Sequence, residues 1–98
     1  MYHRMTENEL VIAALARAKA AKAALNRFEG EARFLSELFK FLSQSLAACA
    51  VNTPGLQERL EAYPSAEQIK QLLVDLKGAQ TEYYDSNREL TKYGVRLD

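Results

Sequence analysis

The chain has no tryptophan, one cysteine, one histidine, two prolines and four glycines in 98 residues. Each scarcity closes off a class of protein. Cys49, the lone cysteine, has no partner for an internal disulfide, so no oxidising compartment is implied and a cytoplasmic location is expected. Because His3 is the only histidine, two-histidine metal motifs are excluded by count, and no Cys/His constellation can be assembled. Neither GxGxxG nor GxxxxGK[ST] occurs, so no loop is built to cradle phosphates. Net charge is lacking too: 13 basic and 13 acidic side chains argue against a protein built wholesale for a polyanion. The longest uncharged window, residues 41–57, is broken by SQS and NTPG and is too short and polar to span a bilayer. At the N-terminus, MYHRMTENE places two acids before any apolar run, unlike a secretory signal. No membrane role and no small-molecule substrate are expected.

What is present is helical periodicity. From Val11, steps of three and four residues land on Ala14, Ala18, Ala21, Leu25, Phe28, Ala32, Leu35, Phe39, Leu42, Leu46 and Cys49, every one apolar. Such an alternation, sustained over many turns, marks a coiled-coil-like seam. A second seam follows through Ile69, Leu72, Leu76, Ala79, Tyr83, Ser86, Leu90 and Tyr93, interrupted only by Ser86. Thr6 with Glu9, and Ser65 with Gln68, fit capping boxes, and Met5 with Leu10 fits a hydrophobic staple around the first of them. Thr53-Pro54 stops the first helix near Asn52, and Gly94 suits a left-handed stop in which Val95 folds back onto Leu90. Leu56, Leu60 and Tyr63 suggest a short helix between Pro54 and Pro64.

The expected architecture is therefore all-α. One domain over residues 1–98 holds a long antiparallel helical hairpin, with helices at about 7–51, 55–63 and 66–93. It is expected to dimerise into a helical bundle. The alternative is a compact three-helix bundle broken near Gly30. Helix lengths sharpen the expectation: about 68 Å for the first and 42 Å for the last at 1.5 Å per residue. Folding back directly from the turn, the last helix reaches only to the region of Leu25. The stretch LVIAALARAKAAKAA then projects without an intramolecular partner. Alanine in that seam permits close helix approach, and Arg17 and Lys22 flank it as interface charges do. On this reading, Ala18→Glu with Ala21→Glu breaks association and leaves the helices intact.

In FLSELFKFL, Phe34, Leu38 and Phe41 lie outside the seam, so the segment is apolar over most of its circumference and one facing helix cannot cover it. Tyr83 and Tyr93 give the last seam a contact face that is apolar yet soluble. The candidate partner-binding residues are Val11, Leu15, Arg17, Ala18, Ala21 and Lys22 on the first stretch, Phe34, Leu38 and Phe41 on the girdle, and Tyr83 and Tyr93. No catalytic, cofactor-binding or metal-ligating residue is assigned, and Cys49 reads as a buried seam residue without a neighbouring base. The expected function is a non-enzymatic helical protein–protein interaction module of adaptor, chaperone or inhibitor type, engaging another protein or a second copy of itself. One alternative is a nucleic-acid accessory protein using Arg17, Lys19, Lys22 and Arg27, disfavoured by the balanced charge. Another is a structural component of a secretion or phage assembly, where small helical hairpins are frequent.

Overall fold

The computed structural model describes residues 6–49 and 54–97 and contains three helices and, among those residues, no strand: α1 (Glu7–Ala48), α2 (Leu56–Glu61) and α3 (Ala66–Thr91). The long helices α1 and α3 pack on each other as a hairpin 68 Å in its longest dimension. Local chemistry accounts for the ends. The Thr6 hydroxyl accepts the Glu9 backbone N–H at 3.2 Å. At α3 the box closes in both directions, with Gln68 N–H to Ser65 Oγ at 3.2 Å and Ser65 N–H to Gln68 Oε1 at 2.8 Å. Gly94 adopts φ 71°, donating to the Thr91 carbonyl while Val95 donates to that of Leu90. These are the two bonds of a Schellman stop. The staple through Met5, and the stop at Asn52 and Thr53, lie outside the described residues.

α1 runs without a break through Gly30, which removes the three-helix alternative. Intrinsic cost explains why: one exposed glycine costs about 1 kcal/mol, too little to end a helix held on both sides by a packed seam. The helix ends instead at Cys49, which turns left-handed (φ 51°) and returns its N–H to the Ser45 and Leu46 carbonyls. Cys49 is exposed there. The expectation that it lies buried in the seam is corrected, because α3 does not extend so far.

The register is the larger correction. The connector does not simply turn; it doubles back along α1. Gly55 takes φ 78° to start α2, and the Tyr63 hydroxyl then donates to the Leu38 carbonyl while its ring meets Phe39 edge-on at 5.3 Å. Accordingly α3 starts beside the Leu38–Phe39 turn, with Leu72 near Leu35, rather than at the tip of α1. Shifted in this way, it reaches the N-terminal turns of α1, where Leu90 packs with Ala14 and Ala18, and Tyr93, Val95 and Leu97 close over them. The alanine-rich stretch is not a free projection. The other end of α1, from Lys40 to Ala48, lies beyond α3 and is met by α2 instead, with Arg59 over the Phe41 ring and Leu46 left exposed.

Packing differs accordingly between the two ends. At the closed end the buried residues are small: Ala14, Ala18 and Ala21 on α1 face Ala79, Ser86 and Leu90 on α3. Ser86, the apparent defect in the seam, is wholly buried and satisfied by donating to the Tyr83 carbonyl at 3.0 Å. A small hydroxyl bonded within its own turn lets the axes approach as alanine does. At the α2 end only Leu38 is buried.

Candidate functional site

The sequence-derived candidates separate into two groups. Val11, Leu15, Arg17, Ala18, Ala21, Lys22, Tyr83 and Tyr93 all lie along the α1–α3 interface toward the closed end. Ala18 and Ala21 are 0% and 4% exposed, Leu15 and Tyr93 pack on the buried cluster, and Val11, Lys22 and Tyr83 are half-buried. The expected open alanine face is therefore corrected to an internal contact. Its cause is the doubled-back connector.

Arg17 shows how the closed end is locked. Its guanidinium reaches across to α3, placing Nε and Nη2 on the two carboxylate oxygens of Glu82 at 3.0 and 2.7 Å, and Nη1 on Glu89 at 2.5 Å. Planar, fork-shaped donors suit this bidentate arrangement. Glu82 and Glu89 went unremarked in the sequence, although two acids one heptad apart beside the second seam are a legible signal. Hydrogen bonding to Arg17 holds the Glu82 carboxyl below its ordinary value of 4.5. A carboxylate whose folded pKa is depressed contributes stability above its unfolded pKa and loses it as the pH falls through the folded one. Thermal midpoints of the wild type are therefore expected to fall as the pH drops below 4.5, and those of Arg17→Met to change less across the same window. Both partners are solvent-exposed, so the effect is small and shrinks with salt. Parallel melting curves for the two proteins are the check.

Phe34, Leu38 and Phe41 form the second group, at the α2 end. Leu38 is buried beneath the connector, and Phe41 is half-buried under the Arg59 guanidinium, 4.1 Å above its ring. Phe34 stands 58% exposed between two grooves. One groove runs past Leu38, Phe41, Arg59 and Ala62; the other passes Leu35, Pro64 and Leu72. Tyr63, expected with Leu56 and Leu60 on a short helix over this end, does lie against it, while Arg59 was missed, because nothing local says which ring it reaches. Of the nine large apolar side chains left exposed among the described residues, Phe34, Phe39, Leu46 and Leu60 lie at this end, while Val74 lies on the outer face of α3 beside Lys77 and Thr81.

Among the described residues, no group of three His, Cys, Asp or Glu side chains could hold a metal ion, and no helix is long and apolar enough to cross a membrane. His3 lies outside them. Compared with protein-family models, curated proteins and solved structures, the chain gives no significant match.

Proposed function

We propose that this chain is a non-enzymatic helical interaction module whose docking surface is the open, α2 end of the hairpin. The observation that carries the reading is the uneven distribution of apolar surface. One end is closed by small residues, an arginine clamp and the 93–97 segment, while the other exposes four large apolar side chains, Phe34, Phe39, Leu46 and Leu60. Large contiguous apolar patches on small proteins are kept where a partner covers them. The seam positions Phe39 and Leu46 stay exposed beyond the reach of α3, a helical spacing of apolar residues best matched by another amphipathic helix.

A cytoplasmic setting suits this module, because Cys49 presents an exposed, unpaired thiol that reducing conditions preserve. The basic helix offers less to a polyanion than its sequence implied. Arg17 is taken up by Glu82 and Glu89, and Arg27 lies over the Phe28 ring at 4.6 Å.

A photo-crosslinking amino acid placed in living cells tests the reading directly. At Phe39 or Leu46 it is expected to give discrete polypeptide adducts, and at the exposed closed-end positions Ala20 and Lys92 few or none. An open end that yields no adducts, or adducts no different from those at Ala20, overturns the assignment.

A further inference from the structure

We infer that the outward face of α3, from Lys70 to Arg88, is a second docking surface, and that its occupant is an acidic amphipathic helix of another protein. This face is separate from the open α2 end and does not depend on the reading of that end.

The charges of α3 are sorted onto separate lines. Its three basic residues, Lys70, Lys77 and Arg88, are seven and eleven positions apart. Those steps are close to two and three whole turns, so the cations stand above one another on a line about 27 Å long. Asp75, Glu82 and Glu89 recur every seven positions and form a different line. Arg17 of α1 takes both Glu82 and Glu89, so the acidic line faces the hairpin, and Asp75 accepts from the Gln71 amide at 2.8 Å. The cations therefore face away from α1. Of the remaining acids, Glu67 sits in the first turn, and Asp85 stands at the edge of the cationic line, 3.7 Å from Arg88. Lys70 and Lys77 reach no carboxylate among the described residues.

Apolar side chains share this face. Leu73, Val74 and Tyr84 are 59%, 57% and 65% exposed, and nothing in the chain covers them. Leu73 and Tyr84 are again eleven positions apart, so both stand on the side of the cations, and Arg88 lies over the Tyr84 ring at 4.7 Å. Tyrosine and arginine are the side chains that most often anchor an interface. Two aliphatic anchors and one aromatic, flanked by cations, complement a helix that carries an apolar seam with carboxylates beside it. The hairpin itself is joined by this rule, since Leu90 packs on the alanines of α1 while Arg17 bridges two carboxylates one heptad apart.

Spacing selects this occupant. Duplex nucleic acid presents a negative charge every 1.7 Å or so, roughly 16 over the length of the line, against three cations. Carboxylates on a helix recur at the same seven- and eleven-residue steps as the cations do. A second copy docked through this face sets lysine against lysine, which disfavours it.

The test is fluorescence anisotropy of a labelled synthetic helix as long as the line, with leucine along its seam and glutamate on either side, titrated with the full chain. Micromolar, salt-sensitive binding is expected. Lys70→Glu with Lys77→Glu, both at exposed positions, is expected to weaken it by about tenfold or more with circular dichroism unchanged. Leu73→Asp weakens it likewise, Leu46→Asp at the open end leaves it unchanged, and a synthetic helix with lysine in place of glutamate does not bind. An acidic helix that fails to bind, or binds regardless of the charge reversal, overturns the proposal. Binding lost in Leu46→Asp but kept in the charge-reversed variant assigns the helix to the open end and overturns it too. A DNA duplex or phosphatidylserine vesicles that bind more tightly, with loss on charge reversal and none in Leu73→Asp, replace the acidic helix by a phosphate surface. Crosslinks at Phe39 and Leu46 judge the open end independently, so either surface can fail alone.

Discussion

Replacing Ala18 and Ala21 together with glutamate is expected to unfold the hairpin. Both side chains lie in the α1–α3 contact, at 0% and 4% exposure. Each glutamate adds methylene volume to a close-packed contact, typically costing about 1 to 3 kcal/mol. It also brings a carboxylate with no cation reserved for it, and burying an unpaired polar group costs roughly a further 1 to 3 kcal/mol. Two such insertions match or exceed the 5 kcal/mol or so that a small domain has in hand. Far-ultraviolet circular dichroism at 25 °C is expected to show large loss of helix, not merely altered association. Helicity and melting unchanged from wild type mean that α3 does not lie on this face. The two readings of the alanine stripe are thereby separated: an intermolecular face gives folded monomers, an intramolecular one gives unfolded chains.

Leu90→Ala is the second large effect. Leu90 is the largest fully buried side chain described, packed on Ala14 and Ala18 beneath Tyr93, Val95 and Leu97. Neighbours that are mostly alanine have little freedom to collapse into the space, so the cavity persists. A cost of about 2 to 5 kcal/mol follows from comparable truncations. At roughly 4 to 8 °C per kcal/mol for a domain of this size, the melting midpoint drops by about 10 °C or more. Leu35→Ala is expected to cost less, since Leu35 is only half-buried, and Leu46→Ala almost nothing in the isolated chain. This order, Leu90 above Leu35 above Leu46, is the content of the prediction. Leu46 ranking with Leu90 at low concentration contradicts the packing described above.

Particular residues show what could be read without coordinates. Thr6 and Ser65 announce helix starts because a side-chain oxygen beside a free N–H is a local arrangement, complete within four residues. Gly94 announces a stop for the same reason, through its positive φ. The girdle at Phe34, Leu38 and Phe41 was legible as surplus apolar surface, and the structure leaves Phe34 exposed. Which of these residues become covered was not legible. Arg59 reaching Phe41, and Tyr63 reaching the Leu38 carbonyl, depend on where the connector runs.

Three helices, their caps and the two apolar seams were determined by the sequence alone, since each follows from interactions within a few turns, whereas the continuity of α1 through Gly30 was shown by the structure. Only the tertiary structure decided the register of α3 on α1, and with it which end of the hairpin is open. The physical reason lies in the seams themselves. A regular alternation of apolar residues every three and four positions matches a partner seam almost equally well after sliding along it, so periodicity leaves the offset undetermined. Distant contacts remove that degeneracy: Tyr63 with Leu38, Arg17 with Glu82 and Glu89, Leu90 with Ala14 and Ala18. Each joins residues 25 to 76 positions apart, and none is written in any local window.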